Sequence, residues 1–458
     1  MKGEALGQAA QPKEDMVKAS AQRKTVIVGA AAGLVLLTGL GGGQAWADAT
    51  TLKVDSGDTA WVLVSSAFVL AMLMPGLALF YGGLVRTKNV LGTIMQSVMI
   101  LSVVSLLWIL CGYSLAFGPD KGGVIGGLDW IGLSGVGSQP HPSYAPTIPH
   151  QAFMLFQMMF AAIAPALITG AFAERKRFTS AVLFGALWSV LVYVPLAHWI
   201  WGGGWLAQMG ALDFAGGAVI HISSGAAALV CAIVLGKRRG YGTDYMAPHN
   251  LPMTLLGAGF LWFGWFGFNG GSALGANGIA VSAILATHAA AAMGAISWCG
   301  AEWMHRGKPT VLGVASGAVA GLATVTPAAG YIGPLSAIGI GLVAGMSCYA
   351  AIVWKGRFGY DDSLDVVGIH GVGGVIGVLA TGLCASKVVN PGGADGLFFG
   401  SPGFFGVQVL VVIVTTVFSL VATFVILKLV DALTGLRVSS EEEATGLDLS
   451  QHNERAYS

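Results

Sequence analysis

Eleven apolar runs constrain this chain more than any other feature of its sequence. Most of them contain about 20 residues or more, the length at which an α-helix crosses a bilayer core of about 30 Å. Hydrophobic residues make up 55% of the chain and charged residues only 10%, which excludes a soluble domain of this length. We therefore predict an all-α polytopic membrane protein with eleven transmembrane helices, at approximately residues 59–81, 90–117, 151–173, 179–201, 216–236, 252–268, 279–303, 311–327, 332–354, 365–386 and 403–431.

Positive charge alternates between the connecting loops and predicts the orientation of the chain. One set of loops contains only Lys121 and Lys387. Because basic loops remain in the cytoplasm, the other set is assigned to that side. The mature N-terminus is then outside and the C-terminus cytoplasmic, in the inner (plasma) membrane. The basic set contains Arg86, Lys88, Arg175, Lys176, Arg177, Lys237, Arg238, Arg239, Arg306, Lys308, Lys355 and Arg357.

The two ends of the chain differ from the part between them. Residues 1–47 have a basic region, a short apolar run and the sequence Ala45-Trp46-Ala47, which together predict a secretory signal peptide cleaved after Ala47. An uncleaved additional helix is the alternative. The transmembrane domain is predicted at 48–436 and a cytoplasmic tail at 437–458. The composition of the tail is polar and acidic, which favours a solvated, partly disordered end over a contact surface.

An internal repeat relates the first ten spans. Span one ends in LFYGG and span six in GFNGG, and the charge rule makes these two spans run in opposite directions. Spans five and ten contain His221 and His370, each shortly after an acidic residue, Asp213 and Asp365 respectively. We predict two inverted five-helix repeats plus one extra helix, with a pathway near the middle of the bilayer where the halves meet.

The two histidines are the first candidate functional residues, because an ionisable ring inside a membrane span usually lines a pathway. Inverted symmetry would bring His221 and His370 together among small residues that allow close helix approach. A neutral pair presents a donor and an acceptor to a solute without a net charge. Two alternatives remain from the residues alone, a structural contact between helices and a bis-histidine haem site.

Aromatic residues near the outer face form a second candidate site. Trp201 ends span four, Phe160 lies in span three, and Phe268 precedes Ser272 at the end of span six. A cation can bind over aromatic faces while it donates a hydrogen bond to a hydroxyl, which contributes about 0.5–2 kcal/mol per ring. Interfacial tryptophan is otherwise an ordinary membrane-belt residue. Asp213 either adds negative potential near this site or caps span five.

Several separate motifs resemble the Amt/Rh ammonium transporter family, on the bacterial Amt side. From about residue 58 to the C-terminus, the resemblance is carried by LALFYGGLVRTKN, GAFAERKRF, AHWIWGGGWLAQMGALDFAGGAVIH, PHNLPM, GWFGFNGGSA, TPAAGYIG and DVVGIHGVGG. The family implies an eleven-helix homotrimer with one pore in each subunit. Two departures are Asn453, where a glycine is usual, and His288 in span seven, which is interpreted as a helix contact or a third ring near the pore.

The resemblance also implies roles for particular residues. It implies that Phe160, Trp201 and Ser272 recruit ammonium, with Asp213 as the acid of the vestibule. It implies that Phe160 and Phe268 form a gate and that His221 and His370 are the twin pore histidines. A PII-type signalling protein at the cytoplasmic face is the implied partner.

The predicted function is therefore transport of ammonium, with methylammonium as an analogue, and not catalysis. No cofactor and no metal are predicted. Two functions of other classes stay open on the sequence. One is an ammonium sensor that signals through its tail, and the other is a haem-bearing membrane oxidoreductase.

Overall fold

The computed structural model describes residues 52–457. The predicted signal peptide at 1–47 therefore lies outside the described residues. Within the described part, ten helices are long and apolar enough to cross a membrane, and one apolar helix is shorter. Numbered in chain order, they are α1 Ser56–Leu84, α2 Thr87–Phe117, α3 His150–Phe172, α4 Phe178–Gln208, α5 Gly217–Leu235, α6 Leu251–Gly271, α7 Gly278–Arg306, α8 Val311–Val325, α9 Pro334–Phe358, α10 Val367–Cys384 and α11 Pro402–Thr434.

The prediction of an all-α polytopic protein with eleven spans is confirmed, although span eight is shorter than predicted. With 15 residues, α8 is about 22 Å long at the usual helical rise. It is almost entirely buried between its neighbours α7 and α9. Two short antiparallel hairpins lie between α2 and α3, and pair strand β1 (Asp120–Lys121) with β2 (Ile125–Gly126) and β3 (Pro140–His141) with β4 (Ala145–Pro149).

The contact between α5 and α10 shows the inverted symmetry at the level of single atoms. Gly225, four residues after His221, packs against the backbone of Gly371, the residue after His370. Gly374, four residues after His370, packs in turn against the backbone of Ile222, the residue after His221. A side chain at either glycine would overlap the opposite helix. The two helices can cross this closely only because both positions are glycine.

Helix α11 lies outside the repeat, as predicted, and packs on α4, α5 and α10. Its Thr423 hydroxyl accepts a hydrogen bond from the Trp188 indole of α4 at 3.0 Å. Its buried Gln408 amide exchanges two hydrogen bonds with the backbone of Leu212, at 3.0 and 2.7 Å. The extra helix therefore holds the segment that precedes α5.

The C-terminal segment is ordered, and the solvated, partly disordered end favoured by composition was wrong. It forms two short helices, α12 (Ser440–Thr445) and α13 (Leu447–His452). The Leu447 amide donates to the Asn89 side chain at 2.8 Å, and the Asp448 carboxylate accepts from the Gly92 amide at 2.8 Å. Helix α13 thus packs against the start of α2, where Lys88 also donates to two carbonyls of α12. We call this side of the bundle the tail face and the opposite side the Trp201 face.

Asn453 ends α13 in the left-handed conformation, with φ of 56°. Asparagine adopts this conformation more readily than other residues that have a Cβ, because its short amide can bond locally. The turn therefore forms although the usual glycine is absent.

A buried ionic cluster supports the tail face beneath these helices. Arg86 donates to Glu174 through its backbone amide at 2.7 Å and its Nε at 3.0 Å. Arg238 bridges Glu174 and Asp361, with its Nε 2.9 Å from the Asp361 carboxylate. Burial opposes ionisation of Glu174, but Arg238 and Arg86 outweigh it and hold the pKa of this carboxyl below its usual range. The cluster is therefore charged and paired at neutral pH.

Candidate functional site

His221 and His370 meet in the interior of the bundle. Their Nδ1 atoms lie 3.1 Å apart and their ring centroids 5.1 Å apart. Since a hydrogen bond needs one donor and one acceptor, two neutral rings form it only as different tautomers. Among the described residues, Nε2 of His221 has no hydrogen-bond partner although it is buried. It is therefore free to bond a solute.

The same distance argues against a haem or metal ion held between these two Nδ1 atoms. A metal–imidazole bond is about 2 Å long, so two nitrogens on opposite sides of one ion lie about 4 Å apart. The observed separation of 3.1 Å is too short for that arrangement. It is the distance of a direct hydrogen bond.

Asp213 fixes the start of the helix that carries His221. Its buried carboxylate accepts four backbone N–H groups at 2.6 to 3.1 Å. Burial raises the pKa of Asp213, and the four donors act against that rise. Of the two roles left open by the sequence, the geometry supports the cap, because both oxygens are occupied. The donors belong to Gly216, Gly217, Ala218 and Val219.

Asp362, not Asp365, fixes the start of the helix that carries His370. The Asp362 carboxylate accepts from the Val367 amide at 2.7 Å, and burial raises its pKa above the usual range. Asp365 instead pairs with Lys355 at 2.5 Å. Asp365, the acid nearer to His370 in the sequence, was the predicted residue, and Asp362 was overlooked. The pair Asp361-Asp362 was the available signal, since two adjacent acids at the edge of a membrane span require partners.

A stack of two phenyl rings lies on the Trp201 side of the histidines. The rings of Phe160 and Phe268 are 4.3 Å apart and nearly parallel, at 10°. Both are buried, and the Phe268 ring centroid is 6.3 Å from that of His221. The stack therefore separates the histidines from the Trp201 face, and a solute could pass only if the rings moved.

Trp201 and Ser272 lie next to this stack. The Trp201 ring is edge-on to Phe160 at 6.0 Å, and its indole N–H donates to the Asp213 carbonyl at 2.7 Å. Ser272 follows the last turn of α6, and its hydroxyl donates to the Phe268 carbonyl at 2.8 Å. With its proton engaged, the Ser272 oxygen can accept a hydrogen bond from a cation.

A small cavity lies beside His370. Its volume is about 10 Å³, close to the least that one water-sized molecule needs. Trp265 borders it and stacks on His221 with ring centroids 5.7 Å apart. Apart from His370, its lining is apolar or aromatic and includes Phe80, Tyr81, Leu167, Leu261 and Ile369.

His288 does not belong to this arrangement. Its side chain is exposed on the outside of the bundle and packs beside Trp262 and Phe266, with ring centroids 5.4 and 6.0 Å away. Of its two interpretations, the helix contact is correct and the third ring near the pore is wrong.

The bundle consists of two inverted helical halves, and its paired imidazoles lie between a closed aromatic stack and an apolar cavity. These features define a polytopic membrane transport protein. Comparison with known proteins identifies the kind of transport. The sequence model of the family described as Ammonium Transporter Family matches residues 60–457. The chain therefore belongs to this family. The molecule transports ammonium across a membrane and is not an enzyme.

Individual relatives agree with this assignment. The ammonium transporter of Bacillus subtilis (strain 168) is 52% identical over 402 residues, which cover 88% of this chain and 98% of that protein. The ammonium transporter Amt1 of Archaeoglobus fulgidus is 49% identical, with coverage of 88% and 100%. The crystal structure of Saccharomyces cerevisiae Mep2 superposes with a TM-score of 0.79 at 37% identity, covering 85% of this chain and 88% of that one.

Proposed function

We propose that this chain binds ammonium at Trp201, Phe160 and Ser272, removes its proton, and conducts ammonia past His221 and His370. The observation that carries the proposal is the 3.1 Å imidazole pair, placed between the phenyl stack and the apolar cavity. A cation benefits from the aromatic faces and the hydroxyl oxygen near the Trp201 face. A neutral solute needs only the donor and acceptor that the imidazoles provide.

The cost of desolvation supports loss of the proton before the histidines. Moving an intact ion into an apolar interior is expensive unless protein groups replace its water. The lining of the cavity beside His370 contains no carboxylate that could do so. Ammonia avoids this cost, whereas potassium has no proton to lose and is excluded.

Movement of Phe160 and Phe268 completes the proposed cycle. Their stacked rings fill the position between the recruitment residues and His221. Rotation of one or both rings would let a small solute pass and then close behind it. The released proton either returns to the Trp201 face or travels separately along the imidazole pair.

Uptake by reconstituted vesicles tests the proposal. We expect the full chain to take up methylammonium and ammonium, and an equal concentration of potassium to reduce that uptake by less than about twofold, because an ion that cannot be deprotonated cannot pass. Protein-free vesicles are the control. Potassium flux through the chain at a rate similar to ammonium would contradict the proposal. Current after an ammonium pulse separates the two fates of the proton, since uptake with zero current rules out its co-transfer.

The orientation and assembly are part of the same proposal. Arg86, Lys88 and Arg238 lie at the tail face, which supports a cytoplasmic position for that face. The chain would then lie in the inner (plasma) membrane with the N-terminus outside after cleavage of residues 1–47. We propose a homotrimer, as the family resemblance implies, which the mass of the detergent-solubilised protein would test.

We propose further that the tail takes part in binding a PII-type protein at the tail face. The ordered helices α12 and α13 support this, because Lys88 donates to two of their carbonyls and fixes their position. The 30% identity to a structure described as a sensor Amt protein, with a TM-score of 0.79, keeps an alternative sensor function open. Loss of a nitrogen response with intact uptake after removal of 437–458 would favour that alternative.

Replacing Gly446 with alanine tests the position of the tail. Gly446 has φ of 103°, and a Cβ there would overlap Lys88. The strain should detach the tail helices at a cost of about 1–3 kcal/mol. We expect binding of a purified PII-type protein to vesicles to weaken by at least about tenfold. Gly406→Ala, in open space on α11, is the matched control. Unchanged binding by Gly446→Ala would contradict the role of the tail.

A further inference from the structure

A second hollow opens on the Trp201 face, beside the proposed recruitment residues. It lies between the hairpins that connect α2 with α3 and the end of α4, and its volume is about 500 Å³. The hollow is far larger than the space needed for one water-sized cation. The side chains that give it chemical character are Phe117, Asp120, Trp130, His141, Tyr144 and Trp201.

The aromatic part of the hollow is rigid. Tyr144 stacks on His141 at 5.1 Å and on Phe153 at 5.5 Å, and its hydroxyl donates to the Gly202 carbonyl at 3.1 Å. Trp130 is edge-on to His141 at 5.2 Å. These contacts fix the rings before any ligand arrives, so little entropy is lost on binding.

Asp120 provides the negative end of the hollow. Its carboxylate accepts from His198 Nε2 at 2.9 Å and from the Gly123 amide at 2.8 and 3.0 Å. The hydrogen bond from His198 holds the pKa of Asp120 below its usual range, so the carboxyl is ionised at neutral pH. His198 is buried, whereas 34% of the Asp120 side chain is exposed. Of these two hydrogen-bonded side chains, the carboxylate is therefore the one presented to the hollow.

Trp201 separates this hollow from the phenyl stack. It is the one residue that the hollow shares with the proposed recruitment site, since Phe160, Phe268 and Ser272 do not line the hollow. A ligand here would lie beside the proposed pathway without passing the phenyl stack.

We propose that this hollow is a binding site for quaternary alkylammonium cations. Fixed aromatic rings together with an exposed carboxylate suit a cation whose charge is spread over methyl groups, and quaternary ammonium ions bind proteins through such groups. The size of the hollow fits such an ion better than it fits ammonium. Ser272 recognises N–H donors in the proposed recruitment of ammonium. A quaternary ion has none, and so it should prefer the hollow.

Titration of the detergent-solubilised full chain with tetramethylammonium tests the site. By calorimetry, we expect Asp120→Asn and Tyr144→Leu each to weaken binding at least about fivefold, because each removes one part of the cation's surroundings. Asp129→Asn changes an exposed acid on the same connection that does not line the hollow, and it should bind like the unaltered chain. Phe160→Leu removes an aromatic ring of the recruitment site that does not line the hollow, and it should also bind tetramethylammonium unchanged.

Three outcomes would overturn the proposal. They are absence of tetramethylammonium binding to the unaltered chain, equal binding by the unaltered chain and both hollow variants, and loss of binding in Phe160→Leu, which would place the ion at the recruitment site instead. Thermal unfolding midpoints within a few degrees of the unaltered chain show that Asp120→Asn and Tyr144→Leu are folded. Asp120→Asn keeps an oxygen that can accept from His198, so loss of the negative charge and loss of the fold are distinguishable.

Discussion

Replacing His370 or His221 with alanine should reduce ammonium uptake by at least about tenfold, or remove its discrimination from potassium. Each change breaks the 3.1 Å hydrogen bond and leaves the other imidazole without its partner. It also opens space that water can fill, and a hydrated route no longer requires loss of the proton. Uptake and potassium flux in vesicles, measured side by side, report both outcomes.

His288→Ala is the matched control for these two variants. It removes the same ring from a membrane helix, but from the exposed side of the bundle. We expect its uptake and selectivity to equal those of the unaltered chain. If His221→Ala and His370→Ala behave like His288→Ala in both respects, the histidines have no part in transport.

Asp213→Ala should abolish uptake by disordering the start of α5. Four buried N–H groups lose their acceptor, and each donor left unpaired costs about 1–3 kcal/mol. The carbonyl that holds Trp201 lies on the same residue, so the change should also move the indole. A lower unfolding temperature of the solubilised protein, together with lost uptake, is the expected result.

Asp213→Asn separates this capping role from attraction of the cation. The amide keeps one oxygen acceptor, so stability and uptake should fall between those of Asp213→Ala and the unaltered chain. If Asp213 instead attracted the cation directly, Asp213→Asn would raise the KM for ammonium without loss of stability. A normal unfolding temperature in Asp213→Ala would refute the capping role.

Patterns that repeat along the sequence predicted the large features of the fold. Apolar length located eleven spans, and the matching positions of His221 and His370 in spans running in opposite directions predicted their contact. That inference succeeds because an inverted repeat sends equivalent residues to the same depth. Glycines at fixed offsets from each histidine then determine how closely the helices cross.

Features that depend on long-range partners were beyond the sequence. Nothing local shows that Gln408 holds Leu212, because these residues are distant in the chain. The order of the tail depends in the same way on Asn89, Lys88 and Gly92, which satisfy its polar groups. Composition describes a segment in isolation, and an acidic segment that meets a complementary surface folds against it.

The single hydrogen bond between His221 and His370 has a consequence for the direction of flow. Either Nδ1 can be the donor, and exchanging tautomers reverses the polarity of the pair without adding charge. Because the hydrogen bond can have either polarity, the imidazole pair does not by itself favour one direction of transport. In the proposed mechanism, a proton that returns to the Trp201 face leaves the ammonia gradient as the only driving force, so accumulation then requires trapping or consumption on the receiving side. A proton that crosses along the pair adds the membrane potential as a second driving force.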